Sequence, residues 1–160
     1  MPATWSFTAF SQVMPRAGRR RRALDGRTER DMLLGASVEE DGHTVRALDE
    51  RVKAGVLLAS TGAGDDHLSD MAKRFTALRT ARFDEMTTPT LVIVGDKDDS
   101  PELTDRGPAH HADGYHQAPG PKSLLTLHGA EHMLGGITGY DTVETTDEDP
   151  ERVAVIQRMS

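Results

Sequence analysis

Short apolar runs alternate along this chain with longer polar segments of helical period. "TLVIVG" (90–95) is the clearest run. Its unbroken, β-branched character predicts a strand buried on both faces. "KAGVLLAS" (53–60), with Val56-Leu57-Leu58-Ala59 at its centre, predicts a second such strand, and "SLLTLHG" (123–129) a third. Between the first two, residues 66–78 place Leu68, Met71, Phe75 and Leu78 at helical spacing, with Asp66 as the cap. Residues 107–120, "GPAHHADGYHQAPG", are punctuated by Gly and Pro and leave room for one short helix. "DEDPERVAVIQRM" predicts a final helix, capped by Asp149 with Pro150 in its first turn. Upstream, residues 27–36 read as a helix ending at Gly35. Asp41-Gly42 then signals a turn, in a short hairpin or an irregular excursion. Residues 1–22 show no sustained period.

Three strands separated by helical segments imply a parallel sheet in an α/β layer fold. Three strands are few for such a sheet. The pattern opens on a helix with nothing before it to pack on and stops within another. It reads as the C-terminal strands of a mostly parallel sheet with flanking helices, part of a larger domain.

Charge divides the chain. Residues 1–30 carry seven Arg against Asp25 and Glu29, a net +5, whereas residues 31–160 sum to −12. The expected organisation is an Arg-rich, disordered or non-homologous segment over 1–26 and an α/β body over 27–160. The acidic body argues against nucleic-acid binding, which needs a basic face. The run "RAGRRRR" has no interleaved aromatics to support it in that role. No apolar run is long enough to span a bilayer. Residues 1–22 make a poor signal peptide, because their charge follows the apolar part, so the cytoplasm is the default expectation. Cysteine is absent, which excludes disulfides and thiolate metal sites. The oligomeric state is not legible. At 36% hydrophobic and 4% aromatic residues, the core is expected to be thin.

Candidate chemistry gathers just past two strands, where parallel sheets collect functional groups. "VGDKDD" (94–99) offers Asp96, Asp98 and Asp99, and "LHGAEHMLGG" (127–136) offers His128 and His132. An Asp that orients a His is the rear half of a nucleophile–His–acid triad. Asp96 and Asp99 read as a solvated turn, and His128 as a packing residue at a strand end. His110, His111 and His116 invite a metal reading, but their spacing is not that of a helical H-E-x-x-H site and no Cys joins them. A metal site at these histidines is therefore not expected. "DKDDS" lacks the Gly and closing Glu of a calcium loop.

From about residue 27 onward the chain resembles the C-terminal half of an α/β-hydrolase. It is most similar to the branch holding chlorophyllases, dienelactone hydrolases and cutinase-like polyester esterases. The pieces that carry the resemblance are "RVKAGVLLAS", "MTTPTLVIVGDKDDSP" and "LLTLHGAEHMLGG". In that family the acid lies three residues after the glycine that closes its strand, so Gly95 points to Asp98. The family's histidine sits in a G-A-x-H turn, which here is Gly129-Ala130-Glu131-His132. The resemblance implies a serine carboxylic-ester hydrolase acting on a small-molecule ester, with Asp98 as acid, His132 as base and no metal or organic cofactor.

The nucleophile is missing. The family's serine occupies a G-x-S-x-G elbow on a strained strand-to-helix turn, and no such motif occurs in the chain. "GASVE" (35–39) ends in Glu39, without a preceding strand or a following helix. Ser60 follows a strand but lacks the first Gly. Where the elbow is expected, "RRALDG" (21–26) puts Ala23 at the serine position and Asp25 at a glycine position. The abrupt change of charge suits a frame change or a fusion over residues 1–25 better than scattered substitution. The chain is thus expected to be inactive as it stands. A non-catalytic remnant or binding domain on the same scaffold is the alternative.

Overall fold

The computed structural model describes residues 34–137 and 147–160. The expected disorder over 1–26 and most of the helix expected over 27–36 lie outside the described residues. Leu34 and Gly35 form a turn.

The first element is a hairpin. β1 (Ser37–Glu40) pairs antiparallel with β2 (His43–Arg46) through Asp41 and Gly42. Their φ angles of 50° and 77° are those of a tight two-residue turn, whose twist matches that of the strands. The hairpin option at Asp41-Gly42 is therefore the one adopted.

The body is a three-stranded parallel sheet in the order β3 (Gly55–Leu58), β4 (Thr90–Gly95), β5 (Lys122–Leu127). Side chains of β4 alternate between two apolar layers, as the period of two requires. Val92 and Val94 face Leu57, Phe83, Met86, Ala112 and Ala118. Leu91 and Ile93 face Leu127, Ala130, Leu134 and Ile156. The first layer is closed by the short helices α2 (Pro108–His111) and α3 (Asp113–Gln117), the second by α4 (Pro150–Met159). Asp149 caps α4 as expected, accepting the Glu151 and Arg152 backbone N–H groups at 2.9 and 3.2 Å. The chain therefore has mixed α/β character with a parallel sheet, and none of its described helices is long and apolar enough to cross a membrane.

Two expectations change. Only β4 is buried along almost its whole length, with Leu91 alone half-buried. β3 and β5 are the edges of the sheet among the described residues, with Leu58 exposed on β3 and Lys122 and Ser123 exposed on β5. A run of apolar residues does not distinguish a central strand from an edge.

The single helix expected over 66–78 is instead a 3-10 turn (Ala72–Arg74) and α1 (Thr76–Arg79), separated by an extended Phe75. Leu68 bridges Thr104, and Ser69 donates its N–H to Leu103 O at 2.8 Å. This pairing holds residues 67–69 out of helix, so Asp66 caps nothing, and Met71 and Phe75 face outward. Local periodicity yields here to a long-range ladder.

Parallel register brings the C-terminal ends of β3, β4 and β5 to one edge of the sheet, with Leu58 beside Ile93 and Gly95 beside Leu127. The loops carrying Ser60, Asp98 and His132 all leave from that edge.

Candidate active site

The turn after β4 is built on Gly95. A Cβ there would lie 2.1 Å from Ala130 O, so only glycine lets the two strand-end loops meet. Lys97 donates its N–H to Ala130 O at 2.9 Å, and Asp96 donates to Leu127 O at 3.1 Å. These bonds fix the "GAEH" turn against the "GDKDD" turn. Asp147 holds the far side, accepting the N–H groups of Glu131 (2.7 Å) and Gly135 (3.0 Å). Asp147 was not singled out from sequence, and it acts by gripping the backbone on both sides of His132.

Asp98 and His132 meet as expected. His132 Nδ1 lies 3.0 Å from Asp98 Oδ2 and 3.3 Å from Oδ1. A carboxylate only accepts, so Nδ1 carries the proton and Nε2 is the nitrogen able to take another. The Asp98 side chain is wholly buried, whereas His132 is 27% exposed. Burial pushes the Asp98 carboxyl up, but the His111 and His132 imidazoles outweigh it and hold the group well below the usual carboxylate range. Ser100 Oγ also donates to Asp98 Oδ1 at 2.9 Å.

A third residue joins them. His111, at the end of α2, has a fully buried side chain, and its Nε2 lies 3.2 Å from Asp98 Oδ1. Its Nδ1 donates to the backbone carbonyl of Ser60, past the end of β3, at 2.8 Å. The His111 and His132 rings stand 5.4 Å apart, tilted by 54°. In sequence His111 is set aside with its neighbours, because metal ligands are sought there at close spacing along one segment. The site instead takes Asp98 from the turn after β4, His111 from α2 further along the same connection, and His132 from the turn after β5.

The other acids and histidines divide from this group. Asp99 is exposed, as expected for a solvated turn. Asp96 does more. It accepts the Gly129 N–H at 2.6 Å and pairs with His128 Nδ1 at 2.8 Å. His128 is not a packing residue, because its side chain is 96% exposed and it stands out from the strand end on Asp96. His116 is exposed at the end of α3.

His110 belongs to a second buried group with Asp65 and Asp113. Arg106 clamps that group, donating to Asp113 through Nη1 (2.8 Å) and Nη2 (2.6 Å) and to Asp65 through Nη1 (2.6 Å). These partners push the Arg106 guanidinium further above its ordinary value. Burial lowers His110.

Neither serine weighed from sequence stands in an elbow. Ser37 opens β1 and exchanges backbone hydrogen bonds with Arg82. Ser60 is buried, and its Oγ donates to Thr61 O at 3.2 Å.

The geometry supplies a buried acid holding a partly exposed base, with a second imidazole on the same carboxylate. The chain matches no protein-family model, no curated protein and no solved structure in the comparisons made.

Proposed function

We propose that residues 27–160 are the C-terminal part of an α/β-hydrolase domain of the serine carboxylic-ester hydrolase type. In this reading Asp98 and His132 hold the acid and base positions, and the chain lacks the nucleophile. The observation that carries the reading is the Nδ1–Oδ2 contact of 3.0 Å between two residues 34 positions apart, at the ends of adjacent parallel strands. Asp98 would hold the imidazole by Nδ1. Nε2 would take the proton of an attacking hydroxyl and return it to the leaving alkoxide. The substrate class is a small-molecule ester, and no nucleic acid enters the reaction. The Arg-rich segment would be a fused or frame-changed replacement for the strand and elbow.

Activity and lineage are tested separately. The purified chain is expected not to turn over p-nitrophenyl butyrate, and a fluorophosphonate is expected to label no serine. Turnover lost in His132→Ala, with one serine labelled, would keep the pair but overturn the missing nucleophile. Turnover indifferent to that substitution would overturn the role of His132. Genomic DNA upstream of codon 27 is expected to encode, in one of its frames, an apolar strand ending in G-x-S-x-G. Its absence from every frame would overturn the frame change.

A non-catalytic binding role on this scaffold is the second reading, favoured by the absence of any G-x-S-x-G in the sequence.

A further inference from the structure

The acid–base pair leaves His111 unexplained. Its Nδ1 faces a backbone carbonyl, which only accepts, so Nδ1 carries the proton. Nε2 then lies 3.2 Å from an oxygen of the ionised Asp98, inside a pocket where both side chains are wholly buried. Two electron-rich atoms in contact away from water repel, unless a positive centre lies between them. A proton on Nε2 would answer this only if its N–H aimed at the oxygen. The approach lacks that alignment, and Nε2 has no hydrogen-bond partner.

We propose that Asp98, His111 and His132 form a binding site for one divalent first-row transition metal ion of the zinc class. The ligand atoms are an Asp98 carboxylate oxygen, His111 Nε2 and His132 Nδ1.

Distance supports this assignment. One ligand atom from each residue lies within 4.8 Å of the other two. Asp98 Oδ1 is 3.2 Å from His111 Nε2 and 3.3 Å from His132 Nδ1. Ligands about 2.0–2.1 Å from a tetrahedral zinc ion stand about 3.3–3.4 Å apart. Each edge measured from Asp98 Oδ1 is therefore already close to the length that coordination needs.

Chemistry supports it as well. Two imidazoles and a carboxylate suit zinc, iron(II) and cobalt(II), and do not suit magnesium or calcium. The backbone carbonyl on His111 Nδ1 is the outer partner that fixes a metal-binding histidine in its tautomer. Ser100 orients the carboxylate in the same way. Three protein ligands leave a fourth position, and His132 is the partly exposed member through which it could exchange.

The proposal goes beyond the ester-hydrolase reading and does not rest on it. A metal on Nδ1 would displace the His132–Asp98 hydrogen bond, so the two occupied states exclude each other. Metal binding can therefore fail while the hydrogen-bonded pair stands, and ester chemistry can fail while metal binding stands.

The test uses the full, untagged chain, stripped by chelator and titrated with Zn²⁺ in a calorimeter and with Co²⁺ by visible absorption. One equivalent of Zn²⁺ is expected to bind, and Co²⁺ to give the intense visible band of a four-coordinate site. His132→Gln is expected to weaken Zn²⁺ binding by more than about tenfold and to abolish the band. His128→Gln is expected to leave both unchanged. His111→Gln should match His132→Gln, but its burial puts folding at risk. The deciding variant is therefore His132→Gln, with an unchanged far-ultraviolet spectrum. No Zn²⁺ binding by the parent chain would overturn the proposal. So would a band that survives in His132→Gln, or one lost equally in His128→Gln.

Discussion

Two buried clusters of acid and imidazole lie one residue apart in sequence and differ in one respect. His110 joins Asp65 and Asp113, and His111 joins Asp98 and His132. In the first cluster the guanidinium of Arg106 grips Asp113 with two nitrogens and reaches Asp65 with one of them. The carboxylates there have a permanent counter-charge, and the Ala63 N–H adds a further donor to Asp113 at 3.0 Å. In the second cluster, among the described residues, the groups of positive capacity paired with Asp98 are two imidazoles, whose charge depends on a proton or a metal. The first cluster ties α3 to the loop after β3. The second holds a carboxylate whose partners can change state. An arginine completes the first group of acids and histidine, and imidazoles alone face the carboxylate of the second.

That contrast can be broken from either side. The largest effect is expected from Arg106→Ala, which leaves Asp113 buried without its cation. Urea unfolding should show a loss of about 3 kcal/mol. Asp98→Asn should cost less, about 1.5 kcal/mol by the same measurement, because the amide keeps an oxygen for Ser100 and His132.

Asp98→Asn should also change the acid limb of stability. The Asp98 carboxyl is held below its ordinary value in the folded chain. Its contribution is fully present above the unfolded value of about 3.9 and is lost as pH falls through the lowered one. The variant should lose that part of the acid transition.

His110 sharpens the comparison at milder pH. Burial lowers it in the folded chain, so the unfolded chain takes up the proton first as pH falls below about 6.5. Stability should therefore fall from about pH 7 towards about pH 5.5, and His110→Gln should flatten that slope in urea midpoints. The smallest effect is expected at the exposed pair of Asp96 and His128, where His128→Ala should leave the thermal midpoint unchanged.

How much of this was legible follows from how local each signal is. β4, α4 and the turn at Asp41-Gly42 announce themselves in a few adjacent residues, by β-branched runs, an Asp-Pro cap and two left-handed turn positions. The strand ends mark out Asp96, Asp98, Asp99, His128 and His132 together, and only the hydrolase resemblance picks Asp98 and His132 from among them. The break in residues 66–78 was hidden because its cause, the strand-like bridge from Leu68 to Thr104, joins residues distant in sequence. His111 was hidden for a related reason. Adjacent His110 and His111 look like one motif, but they point into different clusters, and only the packing of α2 against the sheet separates them. The exposure of His128 was equally unreadable, since a histidine closing an apolar strand has no local mark of which way it turns.

The central claim is that Asp98 holds His132 by Nδ1 and leaves Nε2 as the working nitrogen. The direct test is a long-range ¹H–¹⁵N spectrum of the metal-free, histidine-labelled chain at neutral pH, with His132 assigned by substitution. The expected result is a His132 ring protonated on Nδ1, changed in Asp98→Asn and unchanged in His128→Gln. A His132 ring protonated on Nε2, or one indifferent to Asp98→Asn, would contradict the account.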